Sequence, residues 1–343
     1  MKSKVIVLIL GYKSVGYLDE CISSLLEQSY NNYEVWFADN NSNDGSVEYL
    51  NKNYSKIKTF QFEENSGYAG GNNKLIKMAF IKGADFTLVI NADTNSDKHL
   101  ISNLIDTYQN QSKHNKVGLV QPVVMLYDKP NKINSIGNVI HYLGFGYCGE
   151  YMSEKIPKID KDIISVSGTA MLISKKYYQD VGLFDEEFFM YNEDQDYSWR
   201  GLMMGYKHFV SVKSKIWHKY SFSKNKNKWY HSEKNRLMMI YKNYENKTLL
   251  KLIPILIFNE IAMLVYSLFD GWFFKKIKSY IFLFKNKTII KRNRKESQKN
   301  RIVGDKQLVQ VFISELDFEI MNSFFIKSVI NPIYSVYRKI LFR

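Results

Sequence analysis

The chain has 343 residues, 45% hydrophobic and 15% aromatic, with five prolines, which excludes a disordered or collagenous protein and is ample for a large buried core. Its formal charge of +14 is concentrated: residues 207–242 and 275–301 hold 21 of the 48 basic residues and 2 of the 34 acidic ones, leaving the rest of the chain at −5. Two cysteines, Cys21 and Cys148, with no CxxC or Cys/His grouping, exclude a zinc site or a disulfide framework and suit a reducing compartment.

The opening "MKSKVIVLIL" has a charged start, but its apolar run, 5–10, is too short for a signal segment and reads as a buried first strand. Apolar runs at 34–38, 58–62, 86–90 and 118–121 continue the series. Between them, segments 17–28, 46–52, 72–82 and 98–109 repeat apolar residues at intervals of three and four. This alternation predicts an α/β fold with a mostly parallel sheet, whose ligands bind beyond the carboxyl ends of the strands. Polar clusters stand at those ends: "GYKS", "DNNSNDGS", "ENSGYAGGNN" and "NADTNSD".

The first cluster spaces Gly11 and Gly16 like a phosphate loop, yet Tyr17 and Leu18 stand where Lys and Ser or Thr are required, so a P-loop ATPase is excluded. No GxGxxG follows either, which removes a Rossmann dinucleotide site. The third cluster sets Gly67, Gly70 and Gly71 before a helix expected from Asn72. It reads either as backbone N–H groups approaching an anion or as a plain loop-to-helix turn. In the fourth, Asp93, Asn95 and Asp97 begin like an EF-hand loop, but Lys98 and Leu104 replace the required Gly and Glu. Asp97 is placed to cap the next helix, leaving Asp93 as a turn residue or a ligand for a divalent ion.

From 123 to 150 the chain is loop-rich and reads as short strands or an excursion over a binding site, with further strands at 163–165 and 169–173. A helix is expected over 193–204, where Glu193, Asp194 and Asp196 crowd the first turn and Arg200 lies four residues beyond Asp196. Such crowding places one carboxylate as a general base, or makes an ordinary acidic helix start. His218 follows a short β-like stretch beside Trp217 and by itself reads more readily as a packing residue than as a ligand. The segment from Leu252 to Phe269 is apolar, but Asn259, Glu260, Ser267 and Asp270 share one arc. This predicts an amphipathic helix lying in a membrane surface rather than crossing it, or else a core helix. The lysines beyond it suit an anionic leaflet. The basic, aromatic stretch 213–230 leaves one competing class, a single-stranded nucleic-acid binder.

Taken in order, "LGYKSVGYLDECISSLLEQSYNNYEVWFADNNSNDGSVEYL", "ENSGYAGGNN", "LVINADT", "VSGTAMLISKKYYQDVGLFDEEFFMYNEDQDYSWRGLMMGY" and "WHKYS" resemble the family 2 glycosyltransferases of GT-A fold, in particular the rhamnosyltransferase-like branch, over about residues 4–245. The resemblance implies a GT-A domain over 1–245 with a C-terminal helical, membrane-associating extension over 246–343. It implies inverting transfer of a sugar from a dTDP- or UDP-sugar, dTDP-rhamnose being one, to a hydroxyl of a glycan or lipid-linked glycan in cell-surface polysaccharide synthesis, peripherally on the inner face of the cell membrane. No nucleic-acid partner is expected on this reading.

Carried over residue by residue, Asp39 meets the nucleoside with Gly11 and Tyr12. Asn41, Gly67, Gly70, Gly71, Asn72 and Arg200 join the donor-binding set. Asn91, Ala92 and Asp93 occupy the DxD site, where Asp93 and His218 hold Mg²⁺ or Mn²⁺. Asp194 is the base, with Glu193 beside it. Asn91 departs from the acid that many relatives carry, which removes a charge and weakens the expected affinity for metal alone.

Overall fold

A computed structural model describes residues 2–219, 227–317 and 324–342. The first part of the chain runs β1 (Val5–Gly11), α1 (Leu18–Leu26), β2 (Tyr33–Asp39), α2 (Ser46–Asn53), β3 (Lys58–Gln61), α3 (Gly67–Ile81), β4 (Phe86–Asn91), β5 (Thr94–Ser96), α4 (Leu100–Ser112) and β6 (Val117–Leu126). It continues with β7 (Ile133–Ser135), β8 (Asn138–Ile140), β9 (Gly146–Cys148), β10 (Lys161–Ile163), β11 (Ala170–Ser174), α5 (Lys175–Val181), α6 (Glu193–Met203) and β12 (Lys207–His218). Helices follow: α7 (Asn227–Asn243), α8 (Asn246–Phe269), α9 (Phe273–Lys285), α10 (Lys287–Lys299), α11 (Asp305–Val311) and α12 (Asn331–Leu341). Two compact units result. One takes residues 2–138, 148–201 and 206–219; the other takes 139–147, 202–205 and the described residues from 227 onward.

The first unit is built on a ten-stranded sheet in the order β10-β12-β6-β11-β4-β1-β2-β3, with β5 joined to β12 and β7 to β6. β1 reads VIVLILG because both its faces are covered and both its edges are paired, in parallel, with β2 and β4. The expected parallel pairing runs through β3-β2-β1-β4 and recurs between β6 and β12. β11 enters antiparallel between β4 and β6, so the whole sheet is mixed. Two strands are longer than the apolar pattern predicts. β6 runs on to Leu126 and, where it leaves β11, takes β7 as its neighbour. The 12-residue β12, with lysines along it, pairs with β6, β10 and β5. Of the two readings of the loop-rich stretch after 123, short strands are the one found: the end of β6, then β7, β8 and β9. Asp97 is not the helix cap: its Oδ1 accepts the His99 N–H at 2.8 Å in an Asx turn, and α4 begins at Leu100.

In the second unit, part of the basic character is structural. The Arg294 guanidinium donates to the carbonyls of Tyr241 and Tyr244, and Arg301 to that of Asn243, which closes the end of α7 where carbonyls lack helical partners. On α8 the polar arc faces inward: Asn259 and Ser267 are buried, while Leu250, Ile253, Ile257, Ile261, Val265 and Leu268 are exposed.

Candidate active site

The approach to α6 is strained. Phe189, Tyr191 and Asn192 have φ of 63°, 69° and 62°, a left-handed conformation costing non-glycine residues roughly 1–2 kcal/mol each. Asn192 is held by its side-chain N–H to Gln195 Oε1 at 2.7 Å and its carbonyl to Asp196 N at 2.9 Å. Strain of this kind gathers where a side chain must be aimed. Here the side chain is Asp194, whose Oδ2 accepts the Gly168 N–H at 2.8 Å and Asn138 Nδ2 at 3.3 Å, while Oδ1 accepts the Gln195 N–H at 2.8 Å. Burial raises its pKa above the usual aspartate value, opposed by the N–H groups of Gly168 and Gln195.

Glu193 beside it is buried, and its Oε2 has no hydrogen-bond partner. Burial first, then the charge of Asp194, pushes Glu193 well above the ordinary glutamate range, which disfavours a second negative charge beside Asp194. Arg200 does not reach for a donor. Its Nε binds Asp196 at 2.9 Å, and its other two nitrogens donate to the carbonyls of Val181 and Leu183 at 2.7 and 2.6 Å, which ties α6 to the turn after α5.

Asp93 and His218 meet because of strand register. Antiparallel pairing sets Thr94 against His218, so the turn after β4 lies at the end of β12, and Asp93 Oδ1 is 3.3 Å from His218 Nε2. His218 Nδ1 lies 3.0 Å from Asn134 Oδ1. A proton on Nδ1, donated to Asn134, leaves Nε2 presenting a lone pair beside the carboxylate. Two Lewis bases facing each other suit a shared cation, so the residues fit a divalent metal as a two-ligand site. No group of three or more His, Cys, Asp or Glu converges for a metal among the described residues. A Mg²⁺-type ion completed by phosphate oxygens and water needs no more. Asn91 ends β4 and is fastened through its backbone, its N–H to the carbonyl of Thr169 at 2.9 Å and its own carbonyl to Thr94 Oγ1 at 2.7 Å.

The remaining expected residues sort into builders and exposed groups. Asp39 is buried and accepts Ser42 N, Ser42 Oγ, Asn43 N and Gln61 Nε2, so its carboxylate holds the loop after β2, where Asn41 and Asn43 take left-handed φ. Tyr12 is half exposed, just beyond Gly11, where a Cβ would lie 2.4 Å from Ser14 Oγ. The helix expected from Asn72 begins at Gly67, which puts Gly70 and Gly71 inside it. A Cβ on Gly71 would sit 2.5 Å from the Leu10 side chain; that glycine lets α3 lie close on β1 rather than cradle phosphate. Gly67 has φ of 71°, and a Cβ there would meet the Phe189 carbonyl at 2.4 Å, so it serves the loop that aims Asp194. Asn72 is buried, its amide donating to the carbonyl of Tyr68 within α3 at 3.0 Å.

Three contributors escaped the sequence reading. Asn134 orients His218, Asn138 reaches Asp194, and Gly168 supplies the backbone N–H to that carboxylate while its carbonyl accepts the Tyr68 hydroxyl. "INSIGN" therefore joins both halves of the site across six residues, Ile133 to Asn138, and its paired asparagines were the available signal. Of the stretch offered for nucleic acid, residues 220–226 lie outside the described residues, as do Tyr220 and Ser221 of "WHKYS"; Lys213 to His218 form paired strand.

The family model described as glycosyl transferase family 2 matches residues 6–182, just over half of the chain. The chain belongs to that family. Among relatives of this glycosyltransferase, the N-acetylglucosaminyl-diphospho-decaprenol L-rhamnosyltransferase of Mycobacterium tuberculosis is 25% identical over 210 residues, covering 55% of this chain and 67% of the relative. Glycosyltransferase GlyG of Streptococcus pneumoniae is 27% identical over 157 residues, 45% of this chain and 48% of that protein.

Two solved structures share the glycosyltransferase's fold. GalNAc-T7 with UDP, GalNAc and Mn²⁺ has a TM-score of 0.56 at 14% identity, over 71% of this chain and 48% of that one. S. aureus TarS 1-349 in complex with UDP has a TM-score of 0.50 at 16% identity, over 99% and 89%. The transferase thus spans about half the length of GlyG and of GalNAc-T7. Its mixed sheet with a helical C-terminal region is the GT-A architecture.

Proposed function

We infer that this glycosyltransferase moves a sugar, with inversion, from a nucleoside-diphosphate donor to a hydroxyl of a glycan or lipid-linked glycan. The observation that carries the reading is the fixed Asp194 carboxylate, raised in pKa by burial and tied through the Ile133–Asn138 segment to the Asp93 and His218 pair. In the proposed reaction Asp194 takes the proton of the acceptor hydroxyl. The hydroxyl oxygen then bonds to the anomeric carbon as the bond to the diphosphate oxygen breaks on the opposite face, and the nucleoside diphosphate leaves. Burial of Glu193 disfavours its charged form, which limits the negative charge facing the oxygen as its proton leaves. Asp93 and His218 would hold the Mg²⁺ or Mn²⁺, which when bound supplies positive charge to the departing diphosphate.

Tyr12, exposed above the loop shaped by Gly11 and Asp39, is assigned to the nucleoside together with Asn41; Asn91 borders the diphosphate. Gly67, Gly70, Gly71, Asn72 and Arg200 leave the contact set and act through packing. The relative named as a rhamnosyltransferase acting on a diphospho-decaprenol-linked sugar supports dTDP-rhamnose as a donor, UDP-sugars being the alternative, and a lipid-linked acceptor in cell-surface polysaccharide synthesis. Such an acceptor, and the two free thiols, suit a peripheral site on the cytoplasmic face of the membrane. We take 1–245 as the catalytic region and 246–343 as its extension.

A donor panel of dTDP- and UDP-sugars with Mn²⁺, read by thermal shift and by release of nucleoside diphosphate, tests this. The cognate donor is expected to raise Tm and to release nucleotide on addition of acceptor. No stabilisation by any nucleotide sugar overturns the reading.

A further inference from the structure

We propose that the helical unit docks on an anionic lipid leaflet through the outward apolar stripes of α8 and α12, lying in the surface without crossing it. At about 100° per residue, six of the exposed apolar residues of α8, from Leu250 to Leu268, fall within an arc of roughly 120°, with Phe258 and Phe269 along one margin. The opposite stripe, Thr248, Leu252, Ile255, Asn259, Met263 and Ser267, is buried. Half of that buried stripe is polar. The distribution is the reverse of a soluble helix, whose apolar side faces its core.

The inward polarity is satisfied by a closed ionic network. Arg236 on α7 donates to Glu233 at 3.0 and 2.9 Å and to Glu260 of α8; Lys276 of α9 donates to both glutamates, and the Tyr280 hydroxyl to Glu260 Oε2 at 2.7 Å. Two carboxylates and two cations balance. Beside it, Tyr334 of α12 donates to Asn259 Oδ1 at 2.7 Å, which fixes the polar side of α8 against α12. With its polar groups satisfied inside, α8 beyond the exposed Lys247 and Lys251 of its first turns has only apolar residues to offer outward. Its neighbour α12 does the same with Val329, just before it, and with Ile333, Val336 and Ile340, again spaced at three and four.

Charge selects the occupant. The exposed stripe of α9 alternates Phe274, Lys278, Ile281 and Lys285, apolar stems and ammonium heads suited to the headgroup level. A second copy of this chain would bring like cations against like, whereas an anionic leaflet neutralises them. Length and composition would let α8 cross a bilayer. Its partners argue against that: α9 has 13 residues, roughly 20 Å of helix, against a hydrocarbon core of about 30 Å. α7 carries the buried Glu233 and Arg236.

Flotation of the full chain with vesicles of phosphatidylcholine, alone or mixed with phosphatidylglycerol, tests this, and needs no nucleotide sugar, so it stands apart from the donor test. The chain is expected to float with the anionic vesicles, roughly tenfold more weakly with phosphatidylcholine alone. Ile257→Glu with Ile261→Glu is expected to abolish flotation without changing the circular dichroism, since both side chains already face outward. Lys278→Glu with Lys285→Glu is expected to weaken it roughly tenfold on anionic vesicles only. Absence of flotation by the wild-type chain, or undiminished flotation of the isoleucine variant, overturns the proposal. So does a wild-type dimer that the isoleucine variant makes monomeric while neither binds vesicles.

Discussion

In the sheet unit, β1 is apolar on both faces and ends at Gly11, and the polar side chains of the candidate site collect where strands stop, at Asp39, Asp93 and His218. In the helical unit, α8 buries Asn259 and Ser267 and turns Ile257 and Ile261 outward. The same residue types thus do opposite jobs. A polar group at a strand end is aimed by the loop around it; a polar group inside the helices is consumed by its neighbours. Burial alone does not tell them apart. Asp194 and Glu260 are both carboxylates deprived of water, yet burial leaves Asp194 raised, while Arg236 and Lys276 overcome burial and hold Glu260 below the usual range. One is poised to accept a proton, the other to keep its charge.

The sharpest way to break this contrast is to neutralise the Asp194 carboxylate and to take a cation from Glu260. Asp194→Asn is expected to lower kcat by about 10²–10⁴-fold, the range for a lost general base. Its Tm should move little, because losing one accepted hydrogen bond and losing a desolvated charge oppose each other. Arg236→Met is expected to leave the donor chemistry alone and to destabilise by about 3–5 kcal/mol, since Glu233 and Glu260 lose a partner they cannot replace. Replacing Glu233, Arg236, Glu260 and Lys276 together with apolar residues should recover much of that loss in denaturant unfolding. If Arg236→Met is neutral, the network does not organise the helices.

Most of the first contrast was legible in the sequence, and little of the second. Apolar runs and the clusters after them locate β1, β2 and β4 because a doubly covered strand must be apolar throughout. β12 was legible only as a short β-like stretch before His218 because lysines interrupt its pattern; pairing on both sides, not periodicity, makes it a 12-residue strand. Asn134 and Asn138 escaped for a related reason: their roles arise from partners 84 and 56 residues away. The arc of Asn259, Glu260 and Ser267 was readable, but which way it points depends on Arg236, Lys276 and Tyr334.

Asn134 gives a middle-sized test. Asn134→Ala removes the group that orients His218 and is expected to weaken activation by Mn²⁺ about 10–100-fold, with kcat at saturating metal nearly kept. An unchanged metal requirement would place the ion elsewhere than Asp93 and His218.

The smallest effect concerns Asn138. Its amide donates to Asp194 Oδ2 at 3.3 Å, a long bond that favours the charged form of the base and lowers its pKa against burial. In the wild type, kcat/KM should fall with decreasing pH along an acid limb centred above the ordinary aspartate value, because protonated Asp194 cannot take the hydroxyl proton. Removing the amide in Asn138→Ala raises that pKa further, so the limb moves to higher pH while the plateau rate holds. The shift should stay under about one pH unit, since a bond this long to a charged group is worth no more than ~1.5 kcal/mol. A shift to lower pH would mean that Asn138 acts on the limb through some group other than Asp194. A lowered plateau with no shift would mean that it positions the acceptor instead of tuning the base.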